Sequence, residues 1–395
     1  MTSLTCKGFR AGGIAAGIKK NGNPDLGLLV SDVPAQVAAV FTTNKVQAAP
    51  VLLDRERVKS GTARAIIVNS GNANCYTGKA GMEAAVTVTA AAAKALDIPE
   101  DQVLAASTGV IGAPFPTSTL TNAIPRLIDA LDESRMMDLA HAIMTTDTRP
   151  KAGVREVISG GTVYRIVAVA KGAGMIRPDM ATMLCFACTD AHMAHGDDLR
   201  IALKQAVDVS FNRITIDGDT STNDTAILMA GGASGVRIET EADKAEFQRQ
   251  LNDLFVDLAR QMVKDGEGVT KVVDLTIRGA RTNADAFRVA DTIAHSPLVK
   301  TAFFGEDANW GRIIAAAGRA GVDLDPDRLD LYFDDVQMVK SGAGCGSEAE
   351  ARASRVLKKP EFSVTLDLNQ GNGVASLLTC DFSLDYVKIN ADYRS

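Results

Sequence analysis

Apolar residues return along this chain with two different periods. Between Ala242 and Val263 they fall at Phe247, Leu251, Leu254, Phe255, Leu258 and Met262, one stripe at helical spacing. Helices are also predicted from Met82 to Leu96 and from Ser134 to Met144. Short runs rich in β-branched and aromatic residues lie between them, at 65–68, 163–170, 182–188 and 272–277. These predict strands packed on at least one face. Gly-rich polar loops such as Asn69-Ser-Gly-Asn-Ala-Asn74 and Asp217-Gly-Asp-Thr-Ser-Thr-Asn223 join the elements. There is no dinucleotide fingerprint, no internal repeat and no low-complexity tract. The mixture predicts an α/β (α+β) fold. The stretch from Arg278 to Asn283 is the poorest in regular pattern, so a boundary is expected near 280. That gives a main domain at 1–280 and a smaller C-terminal domain at 281–395.

Composition narrows the function. With 46% hydrophobic residues the chain can bury a large core. A net charge of -6 without a basic run argues against a nucleic-acid partner. No stretch reaches the roughly 18 apolar residues that a membrane span needs. The N-terminus lacks the apolar run of a secretory signal. Six cysteines (Cys6, Cys75, Cys185, Cys188, Cys345 and Cys380) are too few for a disulfide framework at this length. The expectation is a cytoplasmic protein with free, buried thiols.

The segment from Lys171 to Cys185, Lys-Gly-Ala-Gly-Met-Ile-Arg-Pro-Asp-Met-Ala-Thr-Met-Leu-Cys, carries the chemistry. A strand ends at Lys171, flexible residues follow, Pro178 fixes a turn and a second strand starts at Thr182. A threonine after the small Ala181, at the exit of a constrained loop, can attack the preceding carbonyl. The peptide then shifts to an ester, and water cuts the chain to leave an N-terminal threonine. A threonine hydroxyl needs a base near neutral pH. The freed α-amino group supplies one, with an unperturbed pKa of about 7.7–8.0. Taken alone, Ala181-Thr182 would simply be the start of a strand.

The surrounding motif is similar to the self-processing signature of the ornithine acetyltransferase (glutamate N-acetyltransferase) family, and the resemblance runs the length of the chain. Ser107-Thr-Gly-Val-Ile-Gly112 resembles that family's oxyanion loop, which would place the Thr108 hydroxyl and the Gly109 N–H at the tetrahedral intermediate. The blocks Asn69–Asn74, Met144–Thr148, Asp265–Gly268, Glu306–Arg312 and Asn390–Ser395 also match. The resemblance implies substrate contacts from Thr145, Lys171, Thr182, Glu267, Asn390 and Ser395. Lys171 would pair with an α-carboxylate and Glu267 with the cationic end of ornithine. Whether Thr145 or Thr146 touches substrate stays open.

The family resemblance implies a layered α/β/β/α sandwich cut into chains 1–181 and 182–395, paired as α2β2. Thr182 would carry an acetyl group from N-acetylornithine to glutamate, as one step of arginine synthesis. No metal or other cofactor is implied, and use of acetyl-CoA as a second donor is left open. Two alternatives stand beside this reading. One is a related N-terminal-nucleophile aminopeptidase or amidase, and the other a non-catalytic binder of N-acetyl amino acids.

Three further motifs have plainer explanations. Asp217-Gly-Asp-Thr220 fits a phosphatase nucleophile pattern, with Lys264 and the Asp334-Asp335 pair as partners, but reads better as an acidic turn. His192 and His195 with Asp197 and Asp198, or Cys185 with Cys188, could suggest a metal. In a strand, however, i and i+3 face opposite sides. The glycines before Ser347 lack a P-loop ending, and Ser347 with Glu350 predicts a capping box.

Overall fold

The computed structural model describes residues 3–177 and 183–392. The chain separates into two compact units, residues 1–212 with 219–262, and residues 213–218 with 263–395. The fold class is mixed α/β.

The first unit opens with β1 (Phe9–Ile14), β2 (Leu26–Phe41), α1 (Ala49–Arg57), β3 (Thr62–Asn72) and α2 (Gly78–Leu96). β4 (Val103–Val110), α3 (Thr117–Asp129), α4 (Met136–Ala142), β5 (Lys151–Ser159) and β6 (Thr162–Lys171) follow. Beyond the processing segment come β7 (Leu184–Thr189), β8 (His192–Met193), α5 (Gly196–Val209), β9 (Thr225–Ala230), β10 (Arg237–Ile238) and α6 (Glu241–Lys264). One sheet runs in the order β4-β3-β2-β9-β7-β6-β5, with β1 also on β2.

Period-two alternation sorts the strand side chains between two cores. Leu26, Leu28 and Val30 of β2, with Ala65 and Ile67 of β3, join Val88, Ala92, Leu120 and Ile124 of α2 and α3. Their neighbours Leu29, Ile66 and Val68 turn the other way, toward Leu139 of α4 and toward Phe186 and Met229. The predicted α6 stripe is fully buried at all six positions. Its rings meet Tyr164 and Phe211 at centroid distances of 6.3 and 5.1 Å. Each such side chain contributes about 1.5–3 kcal/mol, so packing rather than helix propensity holds α6 in place.

β4 is an edge strand, and α1 lies along it. Asp54 of α1, completely buried, accepts a hydrogen bond from the Ala105 N–H of that strand at 2.9 Å. Burial pushes its carboxyl well above the ordinary range, against the opposing pull of the Ala105 N–H and the Arg57 guanidinium.

The second unit holds β11 (Val272–Ala280), α7 (Asn283–Ala294), α8 (Pro297–Phe304), α9 (Trp310–Gly318), β12 (Asp330–Phe333) and β13 (Val336–Lys340). It closes with β14 (Ala343–Gly344), α10 (Ser347–Leu357), β15 (Glu361–Asp367), β16 (Gly373–Cys380) and α11 (Leu384–Ala391). Its sheet order is β14-β13-β12-β15-β11-β16. Val273, Leu275 and Ile277 of β11 point into a core with Val289 and Ile293 of α7.

Two expectations change here. The division falls at 262/263 rather than near 280, because β11 pairs with β15 on one side and β16 on the other. The expected Ser347–Glu350 capping box is also absent. Gly346 takes the N-cap at φ 85°, so Ser347 already stands inside the helix, and no side chain caps the start.

No described helix is long and apolar enough to cross a membrane. Five of the six thiols are buried and Cys345 is exposed, against the expectation that all would be buried. Cys185 and Cys188 do face opposite sides of β7, since only Cys188 belongs to the core with α4.

Candidate active site

The residues singled out from the sequence fall in both units. Ala181, Thr182 and Ser395 lie outside the described residues. Thr108, Gly109, Thr145 and Lys171 belong to the first unit, and Glu267 and Asn390 to the second.

In the first unit, β3 and β4 run parallel until their ends meet at Gly71 and Gly109. Gly109 has φ 132°, and a Cβ there would stand 2.3 Å from the Gly71 carbonyl carbon. Only glycine fits this approach. Thr108 immediately precedes it and is buried. Lys171, at the end of β6 and only 2% exposed, donates from Nζ to Thr108 Oγ1 at 3.4 Å. The hydroxyl therefore receives Lys171 and keeps its own proton to donate.

A buried carboxylate that the sequence reading left without a role organises this corner. Asp147 accepts from Lys151 Nζ at 2.7 Å, from the Gly172 N–H at 2.8 Å and from the Thr145 N–H at 3.0 Å. Both side chains of the Asp147–Lys151 pair are essentially inaccessible, at 0% and 1% exposure. Burial alone would raise the Asp147 carboxyl. The ammonium groups of Lys171 and Lys151 outweigh it and bring the carboxyl down to about 2. Asp147 thus fixes the first residue after Lys171 and the backbone of Thr145 together. Lys19 lies in the same electrostatic neighbourhood and donates to the Met144 and Pro24 carbonyls, each at 2.7 Å. Burial lowers its amine to about 8. The only sequence signal for this cluster was the i, i+4 spacing of Asp147 and Lys151.

The neighbouring ends of β3 and β4 are braced by side-chain amides. Ser107 Oγ donates to Asn69 Oδ1 at 2.6 Å, and Asn69 Nδ2 donates to the Asn72 carbonyl at 2.9 Å. Asn223 Nδ2 donates to the carbonyls of Ala73 and Ser107 at 2.6 and 2.8 Å. These partners are 116–150 residues from Asn223 in sequence, too far for a motif to show.

In the second unit, Glu267 and Asn390 are brought together, with Asn390 Nδ2 donating to Glu267 Oε2 at 2.8 Å. Ser383 at the start of α11 donates to the Gly268 carbonyl at 2.6 Å, tying the Glu267 loop to that helix. Tyr386 of α11 donates to Asp217 Oδ2 at 3.2 Å. Asp217 sits in an irregular segment rather than at the end of a buried strand, which fits a turn and not a phosphatase nucleophile. Asp334, at φ 49° in the turn between β12 and β13, receives Lys359 and Ser363. Among the described residues no cluster of His, Cys, Asp and Glu could hold a metal ion.

Comparison with known proteins adds the lineage. The family model described as the ArgJ family matches residues 10–395. The "Arginine biosynthesis bifunctional protein ArgJ" of Geobacter sulfurreducens is 54% identical, over 99% of this chain and 100% of its own length. The protein of the same name from Syntrophotalea carbinolica is 50% identical, over 98% and 99%. A crystal structure of ornithine acetyltransferase complexed with ornithine, from Mycobacterium tuberculosis, is 34% identical. It covers 46% of this chain and 95% of its own, with a TM-score of 0.41. By the whole-chain match and these identities, this chain belongs to the ArgJ family.

Proposed function

We propose that this protein is an arginine-biosynthesis acetyltransferase that cuts itself between Ala181 and Thr182 and then uses Thr182 as nucleophile. The Thr182 hydroxyl attacks the acetyl carbonyl of N2-acetyl-L-ornithine while its own α-amino group takes the proton. The oxyanion that develops is met by the Thr108 hydroxyl and the Gly109 N–H. The tetrahedral intermediate collapses, and the proton passes to the departing amine of L-ornithine. L-glutamate then attacks the acetyl-Thr182 ester, giving N-acetyl-L-glutamate and restoring the hydroxyl. Lys171 pairs with a substrate carboxylate. Glu267 and Asn390, with Thr145 and Ser395, hold the remaining polar groups. The cut pieces, 1–181 and 182–395, stay folded together as α2β2 in the cytoplasm.

The observation that carries the reading is the contact between Lys171 and Thr108, within a chain that matches the ArgJ family over residues 10–395. It supports an arrangement in which one hydroxyl is oriented to donate where negative charge develops. The names of the relatives, which place them in arginine biosynthesis, support the choice of substrates.

Mass spectrometry and steady-state kinetics test it together. Protein incubated with acetylornithine and no glutamate should carry one acetyl group on the 214-residue piece (395 − 181 = 214). Double-reciprocal lines for the two substrates should be parallel. Intersecting lines with no acetylated piece would overturn the double displacement. Offering acetyl-CoA in place of acetylornithine asks whether a thioester fills the same ester.

Gly109→Ala should lower kcat by about 10²–10³-fold, the scale seen when one oxyanion donor is lost. The added methyl must push β3 and β4 apart at their ends, so the effect should appear in kcat more than in KM. Turnover within about twofold of wild type would remove Gly109 from the oxyanion site, since even a modest donor contributes more than that.

A further inference from the structure

Asn223 and Asp224 immediately precede β9, and each is bonded to a different segment of the first unit. Asn223 grips the carbonyl of Ser107, the residue before Thr108, and that of Ala73. Asp224 accepts the N–H of Met183 at 2.8 Å through Oδ1, and Met183 directly follows Thr182. The loop bearing the pair is itself pinned. Thr42 donates from its N–H to the Asp224 carbonyl at 2.9 Å and from Oγ1 to the Ser221 carbonyl at 2.6 Å. The Ala48 N–H donates to the Thr222 carbonyl at 3.0 Å, and Thr222 Oγ1 donates to Asn223 Oδ1 at 2.6 Å.

Asp224 is an odd choice for a site that needs only to be filled. It is completely buried, and its Oδ2 meets no hydrogen-bond partner among the described residues. Burial pushes the carboxyl well above the ordinary range, against the opposing pull of the Met183 N–H, the Lys171 ammonium and the Ser221 side chain. An apolar side chain of the same volume would pack at lower cost. What it would not supply is the fixed acceptor beside Met183.

We propose that Asn223 and Asp224 act as one positioning unit, a clamp that holds the oxyanion strand and the nucleophile strand in a single register. Each acts through a backbone group one residue away from a reacting residue. The inference rests on Thr182 being the nucleophile. Neither side chain is assigned a proton transfer.

The test uses the full chain carrying Asn223→Leu, Asp224→Leu, the double variant, Asn223→Asp or Asp224→Asn. Mass spectrometry reads self-cleavage, initial rates give kcat and KM, and thermal unfolding checks that each variant folds. Each leucine variant should lose on the order of 10²-fold in kcat, the scale of a small misplacement of reacting groups, with KM for acetylornithine within about threefold. The double variant should fall within about threefold of the worse single, because residues that act as a unit are not additive. Asp224→Asn keeps an acceptor for Met183 and should recover most of the loss with an unshifted pH profile. Should the leucine variants fail to fold, Asn223→Asp and Asp224→Asn decide alone. The first removes both donated bonds and should lose kcat, whereas the second should not.

Unaffected kcat in Asn223→Leu and Asp224→Leu, a loss confined to KM, multiplying losses in the double variant or a shifted pH profile in Asp224→Asn would each overturn the clamp. A wild-type chain that is not cut at Ala181/Thr182 removes the nucleophile reading instead. A cut, active wild type with indifferent variants removes the clamp alone.

Discussion

Thr182→Ala is expected to purify as one uncut chain of 395 residues and to lose turnover on the order of 10⁶-fold, the scale seen when an activated hydroxyl nucleophile is deleted. Two losses coincide in that variant. Without the hydroxyl there is no acyl shift, so the α-amino group stays locked in a peptide and never becomes a base. Without the hydroxyl there is also nothing to carry the acetyl group. Thr182→Ser separates the two from any packing effect, since it keeps the hydroxyl and drops only a methyl group. It should cut itself and retain most of kcat. Denaturing mass spectrometry reads the first loss and initial rates the second. Cleavage at the same bond in the alanine variant would assign both roles to another residue.

Asp147→Ala is expected to cost about 3–5 kcal/mol of stability, the range for breaking a buried ion pair from one side. The substitution removes a fully buried carboxylate that faces two buried ammonium groups, Lys151 and Lys171. It also releases the Gly172 and Thr145 amides, so kcat should fall as well. The pH dependence identifies the cause. The native carboxyl titrates at about 2, against 3.8 for an unperturbed aspartate. Its stabilisation is therefore complete above pH 3.8 and fades as pH falls toward 2. Denaturant titrations at pH 7 and near pH 3 should show the gap between wild type and variant narrowing on acidification. An equal gap at both would trace the loss to packing instead of charge.

Local pattern made much of this fold legible. The α6 stripe was readable because a helix buries residues that its own period selects, and all six are buried. The run at 163–170 proved to be the middle of β6, and that at 272–277 the first six residues of β11. The boundary near 280 was misplaced because β11 is claimed by β15 and β16, which lie about 90–100 residues further along and leave no trace beside it. The capping box at Ser347 failed for a similar reason. A glycine able to adopt positive φ ended the turn one residue earlier than the side-chain pattern implied.

The candidate site was legible to a different depth in each part. Thr108, Gly109 and Lys171 stood out in contiguous motifs, and the structure puts Lys171 against Thr108. Glu267 and Asn390 stood out too and share a hydrogen bond. Asp147 was quoted within a motif, yet its importance comes from burial beside two lysines, which sequence does not display. Asn223 lay inside a loop noted only for its polarity. The bonds it makes depend on how β3, β4 and β9 are arranged in the sheet.

The buried acid on α1 has a consequence for how molecules meet one another. Edge strands offer unpaired backbone groups that invite a strand from a neighbouring chain. At β4 that invitation is withdrawn, because α1 covers the strand and Asp54 already occupies the Ala105 amide. Among the described strands the other end of the sheet is β5, and it carries Arg155 and Glu156 in ion pairs of their own. Charge of this kind discourages strand addition. The sheet is therefore closed to growth by a helix and a buried carboxyl at one end and guarded by charges at the other. A second chain meeting the first unit at either end of this sheet would therefore meet side chains rather than a free strand edge.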